Sequence, residues 1–167
     1  MIAVTPSRAV LTPNQVAELA AAAASPGQPG TLLGAIERVG AATIGQALFT
    51  VMRFDEATME VERLYSSDPR AYPVGGRKRK RDTAWGAQVL TGRRVFVGEG
   101  EEAIRAAFDD HPLILGLGLR SVINVPVVVA DRCYGTLNFL CERGSLSQED
   151  VATARLLALV AAPVLAW

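Results

Sequence analysis

Arg120-Ser121-Val122-Ile123-Asn124-Val125-Pro126-Val127-Val128-Val129, then Ala130-Asp131-Arg132, then Cys133-Tyr134-Gly135-Thr136-Leu137-Asn138-Phe139-Leu140-Cys141 is the stretch that decides the fold. The first run is almost continuously β-branched, as in a strand covered on both faces. Asp131-Arg132 turns the chain into a second apolar strand with Gly135 inside it, and the two read as the central strands of a sheet. Alternation sends Cys133, Gly135, Leu137, Phe139 and Cys141 to one face and Tyr134, Thr136, Asn138 and Leu140 to the other. The apolar set is expected against helices. That leaves Thr136 and Asn138 on the opposite face, where a buried amide must find backbone or ligand partners. In the first strand Asn124 and Ser121 have opposite parity, so one of them faces the same side as Asn138, and the sequence leaves open which.

On either side of this hairpin the chain reads as alternating punctuation and pattern. Residues 1–11 read as a loose arm. Thr12 and Pro13 open a helix with Val16, Leu19, Ala20 and Ala23 at helical spacing, and Ser25-Pro26-Gly27-Gln28-Pro29-Gly30 stops it. Thr31 is expected to cap a second helix that buries Leu32, Ala35, Ile36, Val39 and Thr43 and turns Glu37 and Arg38 outward. Residues 1–30 thus form an arm and helix, and 31–167 the main domain. Ala47 to Phe54 and Met59 to Tyr65 flank a polar turn and predict a hairpin. A long loop from Ser66 to Asp82 carries the basic run Arg77-Lys78-Arg79-Lys80-Arg81, expected to be solvated. A short helix over Thr83–Leu90, a strand over Arg94–Val97 and an acidic-fronted helix over Glu99–Asp109 follow, with His111-Pro112 ending the last. Gly116 and Gly118 suit a tight turn into the next strand. Ser147-Gln148-Glu149-Asp150 is a helix start with a side-chain cap, followed by Val151, Ala154, Leu157, Ala158 and Ala161 on one stripe. The order predicts an α+β sandwich, an antiparallel sheet with long helices on one face and irregular cover on the other.

The composition narrows the function. In 167 residues, 17 Lys and Arg balance 17 Asp and Glu, so no overall field draws the chain to nucleic acid or an anionic membrane. No stretch reads as a membrane span or a secretory leader, and the expected location is the cytoplasm. The single histidine, His111, rules out a multi-histidine metal site, so neither a metal nor any other cofactor is expected. Cys133 and Cys141 lie too far apart along one strand to bridge and read as small buried hydrophobes. The basic run has no interleaved aromatic and no second basic stretch, which argues against a nucleic-acid groove.

With Leu119 to Val127, Asp131 to Phe139 and Leu146 to Asp150 in view, the sequence resembles the GAF domain family from about Thr31 to Leu165. The shared features are an apolar-Pro strand end, a turn followed by aromatic-Gly-apolar-Leu, and a Ser-x-x-Asp helix start. The resemblance implies five or six antiparallel strands, with a roof of loops and short helices over a small-molecule pocket on the helix-free face. The Asn-Lys-x-Phe element of the family's cyclic-nucleotide binders is absent. Asp131-Arg132-Cys133-Tyr134 looks like a bilin-attachment motif but sits in a strand turn. The family's enzymatic branch, free methionine sulfoxide reductase, requires roof thiols, and no cysteine precedes Cys133.

Within that frame Arg63, Tyr65, Tyr72 and Trp85 leave the second strand and the long loop in a position to converge over the sheet. Arg holds a carboxylate in a two-pronged pair while Tyr or Trp stacks on a flat body. His111 is a further candidate for a polar contact in the roof. With Ser121, Asn124, Thr136 and Asn138 these make the candidate ligand-binding set. The expected protein is a non-enzymatic sensory domain for an unknown small organic ligand. It is expected to act in trans and as a homodimer through its N- and C-terminal helices, with Leu156, Leu159, Val160 and Trp167 at the contact. The alternatives are a ligand-free dimerisation module or a redox enzyme.

Overall fold

Thr12 opens the first helix as expected. In the computed structural model, which describes residues 11–166, its side chain accepts from the backbone N–H of Gln15, whose own side chain caps Thr12 in return. Helix α1 (Pro13–Ala24) contributes Leu19 to the core but leaves Val16 exposed, so its buried stripe is narrower than the spacing implied. Residues 1–10 of the arm expected over 1–11, and Trp167, expected at a dimer contact, lie outside the described residues.

Helix α2 (Gly30–Thr43) buries Leu32, Ala35, Ile36, Val39 and Thr43 as the periodicity required. Two details differ from expectation. Thr31 lies inside the first turn and donates backwards to the Pro26 carbonyl, while the Gln28 side chain accepts from the Leu32 N–H and does the capping. Glu37 does not face water alone, because the Tyr65 hydroxyl donates to it.

Strands β1 (Leu48–Asp55), β2 (Glu60–Ser66), β3 (Arg77–Arg79), β4 (Phe96–Glu99), β5 (Ser121–Val129) and β6 (Arg132–Cys141) form one antiparallel sheet in the order β3-β2-β1-β6-β5-β4. The middle pair is therefore β1–β6, with β5 one place further out. At Gly135 the two backbones run so close that an added Cβ would collide with the Met52 carbonyl of β1. The basic run is not a free loop. Arg77 to Arg79 pair with β2, and Arg77 and Arg79 meet Glu60 and Glu62 across the ladder.

The main core lies between the sheet and three helices, α1, α2 and α5 (Gln148–Leu165), and includes Ile36, Phe49, Ile123, Leu137, Phe139 and Leu157. Ser147 and Asp150 cap α5 reciprocally, and the buried Asp150 also accepts from Arg143 at 2.7 Å. Cys133 is the exception to the alternation. The register slips between Val127 and Val128, leaving Tyr134 as an extra residue in β6. Such a bulge reverses parity beyond it. Cys133 therefore joins Val61 and Leu90 on the opposite face, and Tyr134 packs beside the helix-side core.

That opposite face is roofed by the loop from Ser67, a π-helical turn (Gly86–Thr91), α3 (Gly100–Ala107) and α4 (His111–Gly116). His111-Pro112 begins α4 instead of ending α3, the proline taking the first-turn position where its missing N–H costs nothing. Gly118 then turns at φ 81° into β5, as its position suggested. Among the described residues no helix is long and apolar enough to cross a membrane.

Candidate functional site

The roof does not close evenly on the sheet. Leu48, Ile114, Val122 and Leu140 form one apolar cluster there, Val61, Leu90 and Cys133 another, and a cavity of about 70 Å³ lies between them. Its floor is built by alternation, since Thr50 of β1, Asn124 of β5 and Asn138 of β6 stand in register across three adjacent strands. The question left open by parity is thus answered. Asn124 faces the cavity, and Ser121 faces the other way, donating to the Arg143 carbonyl.

The three floor residues are joined to the roof by a chain of hydrogen bonds. The Trp85 indole donates to Asn124 Oδ1 (2.8 Å), Asn124 Nδ2 to Asn138 Oδ1 (2.8 Å), and Asn138 Nδ2 to Thr50 Oγ1 (3.1 Å). These groups are buried, and the chain meets the requirement that buried amides be paired. It also pins Trp85, and with it the start of the π-helical turn that follows, to the sheet centre.

Arg63 is in a different state. It reaches the cavity because the β1–β2 register slips between Val51 and Met52, leaving Leu64 as an extra residue. Without that bulge Arg63 and Tyr65 would share a face; with it, Arg63 lines the cavity while Tyr65 packs against Phe49 and Glu37 on the helix side. The backbone of Arg63 pairs with Gly75 and Gly76, its guanidinium donates to the Pro73 carbonyl (3.0 Å), and it lies 4.9 Å from the centre of the Tyr72 ring. Only 8% of the residue is exposed, its Nε finds no hydrogen-bond acceptor, and it makes no ion pair among the described residues. Burial pulls its pKa below the ordinary guanidinium value, although Arg remains charged.

Two more cations point the same way. Within 77–81 the arginines at 77 and 79 turn outward to glutamates, while Lys78 and Lys80 line the cavity. Lys80 lies 5.1 Å from the centre of the Trp85 ring, and burial, then the proximity of Lys78, lowers its pKa. The one carboxylate in the lining is Asp110. It accepts from the Tyr72 hydroxyl (2.9 Å) and sits 3.9 Å from Lys78 Nζ. Burial and Asp110 raise the pKa of Tyr72, so it remains a donor at neutral pH. Beyond the Lys80–Trp85 pair opens a wider cleft of about 430 Å³, bordered by Gln88, Phe96, Ala103 and Asp109.

Of the candidate residues, Arg63, Tyr72, Trp85, Asn124 and Asn138 come together in one cavity. Tyr65 and Ser121 face the helices. His111 stands at the start of α4 outside the lining, its Nδ1 buried without a partner. Thr136 shares Asn138's face but lies beneath the lining, fully buried, with no partner for its hydroxyl. Sequence reasoning missed Thr50, Lys78, Lys80 and Asp110. The Arg-Lys alternation in 77–81 is the signal that would have separated outward from inward cations. No comparable pattern marks Asp110. The cavity lining holds no thiol and no imidazole; Cys133, in the apolar cluster beside it, and Cys141, on the helix side, are both buried outside the lining.

A curled antiparallel sheet with helices on one face and a roofed cavity on the other defines the class of this α+β domain. The sequence pattern of the GAF domain matches residues 30–166, and the chain belongs to that family. Solved structures agree on the fold. The GAF domain of a phosphoenolpyruvate-protein phosphotransferase from Coxiella burnetii superposes with a TM-score of 0.74 at 14% identity, over 92% of this chain and 91% of that one. The corresponding domain from Acinetobacter gives 0.70 at 15% identity, over 93% and 95%. Free methionine-R-sulfoxide reductase from Neisseria meningitidis, solved in complex with its substrate, gives 0.68 at 18% identity, over 91% and 86%. No curated protein matches the chain in sequence.

Proposed function

We propose that this GAF domain is a non-catalytic sensor whose sheet-to-roof cavity takes up a small organic molecule and passes its bound state to a separate partner. The observation that carries the reading is Arg63, a buried guanidinium lining the cavity with an unsatisfied Nε and no ion pair among the described residues. Leaving such a charge unpaired is costly in a fold that gains nothing from it, and a ligand that pairs with it recovers the cost. An open cavity favours this over a purely structural dimerisation module, and the absence of a thiol from the lining favours binding over cysteine redox chemistry. The test is thermal melting of the purified protein against a library of small acids, bases and neutral compounds, with native mass spectrometry for co-purified molecules. Saturable stabilisation that is lost in Val122→Phe, which fills the cavity, is the expected result. Stabilisation equal in both proteins, or none by any compound, refutes the cavity as the binding site.

A further inference from the structure

The charges around the cavity do not balance. Arg63, Lys78 and Lys80 line it against a single carboxylate, Asp110. Asp110 reaches it from the turn between α3 and α4, bound to the Tyr72 hydroxyl and set near Lys78, and no acidic residue of the floor strands lines the cavity. The other polar floor groups, Asn124, Asn138 and Thr50, are already paired with one another and with Trp85. The remaining surface is apolar, contributed by Leu48, Met52, Phe108, Ile114 and Leu140. The unmet demand in the cavity is therefore for one more anion attached to a small apolar body.

We propose that the occupant of this cavity is a small organic carboxylate, held by Arg63 with Lys78 and Lys80, and that Asp110 is a built-in competitor for the same cations which the ligand displaces. The inference rests on the cavity being the binding site. A carboxylate suits a planar guanidinium better than a spherical anion does, because it accepts two parallel N–H bonds. The 70 Å³ volume holds only the smallest such molecules as the roof stands. Movement of Asp110 enlarges it on the side of α4, and it is through this displacement that occupancy reaches the outer surface of the roof.

The experiment follows the Trp85 indole N–H, which is bonded to Asn124 at the cavity wall, by nitrogen-15 NMR, with Trp167→Phe identifying the signal. Sodium propionate and sodium benzoate are titrated in, with propionamide and benzamide as uncharged counterparts. The carboxylates are expected to shift the signal saturably, and the amides to bind about tenfold more weakly or not at all. Arg63→Met should lose about tenfold or more in affinity. The half-exposed Lys78→Met, whose folding is not in question, should lose about threefold. Asp110→Asn retains an acceptor for Tyr72 but removes the competing charge, and should bind the carboxylates several-fold more tightly. Amides that bind as well as acids overturn the charge assignment while leaving the cavity intact as a site, and weaker binding by Asp110→Asn overturns the competitor role. No saturable shift with any of the four overturns the proposal together with the cavity reading.

Discussion

Asn138→Leu tests whether the hydrogen-bond chain across the floor carries stability. The two side chains have the same number and branching of heavy atoms and leucine is the larger, so the substitution opens no hole. It removes the acceptor of Asn124 Nδ2 at 2.8 Å and the donor to Thr50 Oγ1 at 3.1 Å. Asn124 is 3% exposed, so water does not replace the lost partner. An orphaned buried amide costs about 1–3 kcal/mol, and Thr50, which can reorient its hydroxyl, adds the lower end of that range. The apolar surface of leucine returns about 1 kcal/mol, leaving a net loss of about 2 kcal/mol. For a domain of this size that lowers Tm by about 4–8 °C. Urea unfolding followed by circular dichroism measures it directly. The decisive comparison is with Asn124→Leu and the double variant, since removing both amides eliminates the orphan each single change creates. The double variant should be more stable than additivity predicts by about 1 kcal/mol. A single-variant cost below about 0.5 kcal/mol, or additivity within that margin, would show that the amides act independently and refute the chain.

Three other outcomes follow from the same geometry. Gly135→Ala places a Cβ against the Met52 carbonyl in the central strand pair, where backbone cannot yield cheaply, and should destabilise by about 3 kcal/mol in urea unfolding. Tyr72 and Tyr65 have pKa values raised by burial and by their carboxylate partners Asp110 and Glu37, so the fold favours their protonated forms. Their contribution is complete below the unfolded value of about 10 and declines as pH rises above it; unfolding midpoints should fall between about pH 8 and about pH 11, and less so in Tyr72→Phe. On α5, Leu159 is 66% exposed and Leu156 42%, and a second copy of the chain is the expected cover; sedimentation should show a dimer that Leu159→Asp converts to monomer, and a monomeric parent protein removes that expectation.

Much of the frame was legible because burial imposes a period. The apolar run over Val122–Val127, broken only by Asn124, the caps at Thr12 and Ser147, and the α2 stripe each follow from one local rule, and the structure obeys them, while Val128 and Val129 at the end of the strand are exposed. The misreadings fall where an extra residue resets the period. Tyr134 reverses the parity of Cys133, and Leu64 puts Arg63 and Tyr65 on opposite faces. A bulge is a property of two strands in register, so neither strand shows it alone. His111-Pro112 failed differently, since proline both follows one helix and begins another, and only the surrounding chain decides between them.

The division between floor and roof also explains why ligand class was the least legible property. The floor residues Thr50, Asn124 and Asn138 satisfy one another, so their presence reports a well-paired sheet centre and carries little information about charge. Charge enters with Lys78 of the short edge strand β3, with Lys80 just beyond its end, with Asp110 of the turn before α4, and with Arg63, which depends on a bulge. These elements contribute little to the main core, so their side chains are free to vary in sign without loss of fold. Lys80→Glu should therefore leave urea stability within about 1 kcal/mol while abolishing carboxylate binding, because it adds a second anion beside Asp110 and leaves the helix-side core untouched. A large loss of stability would mean that the roof charges hold the fold together instead of selecting what enters it.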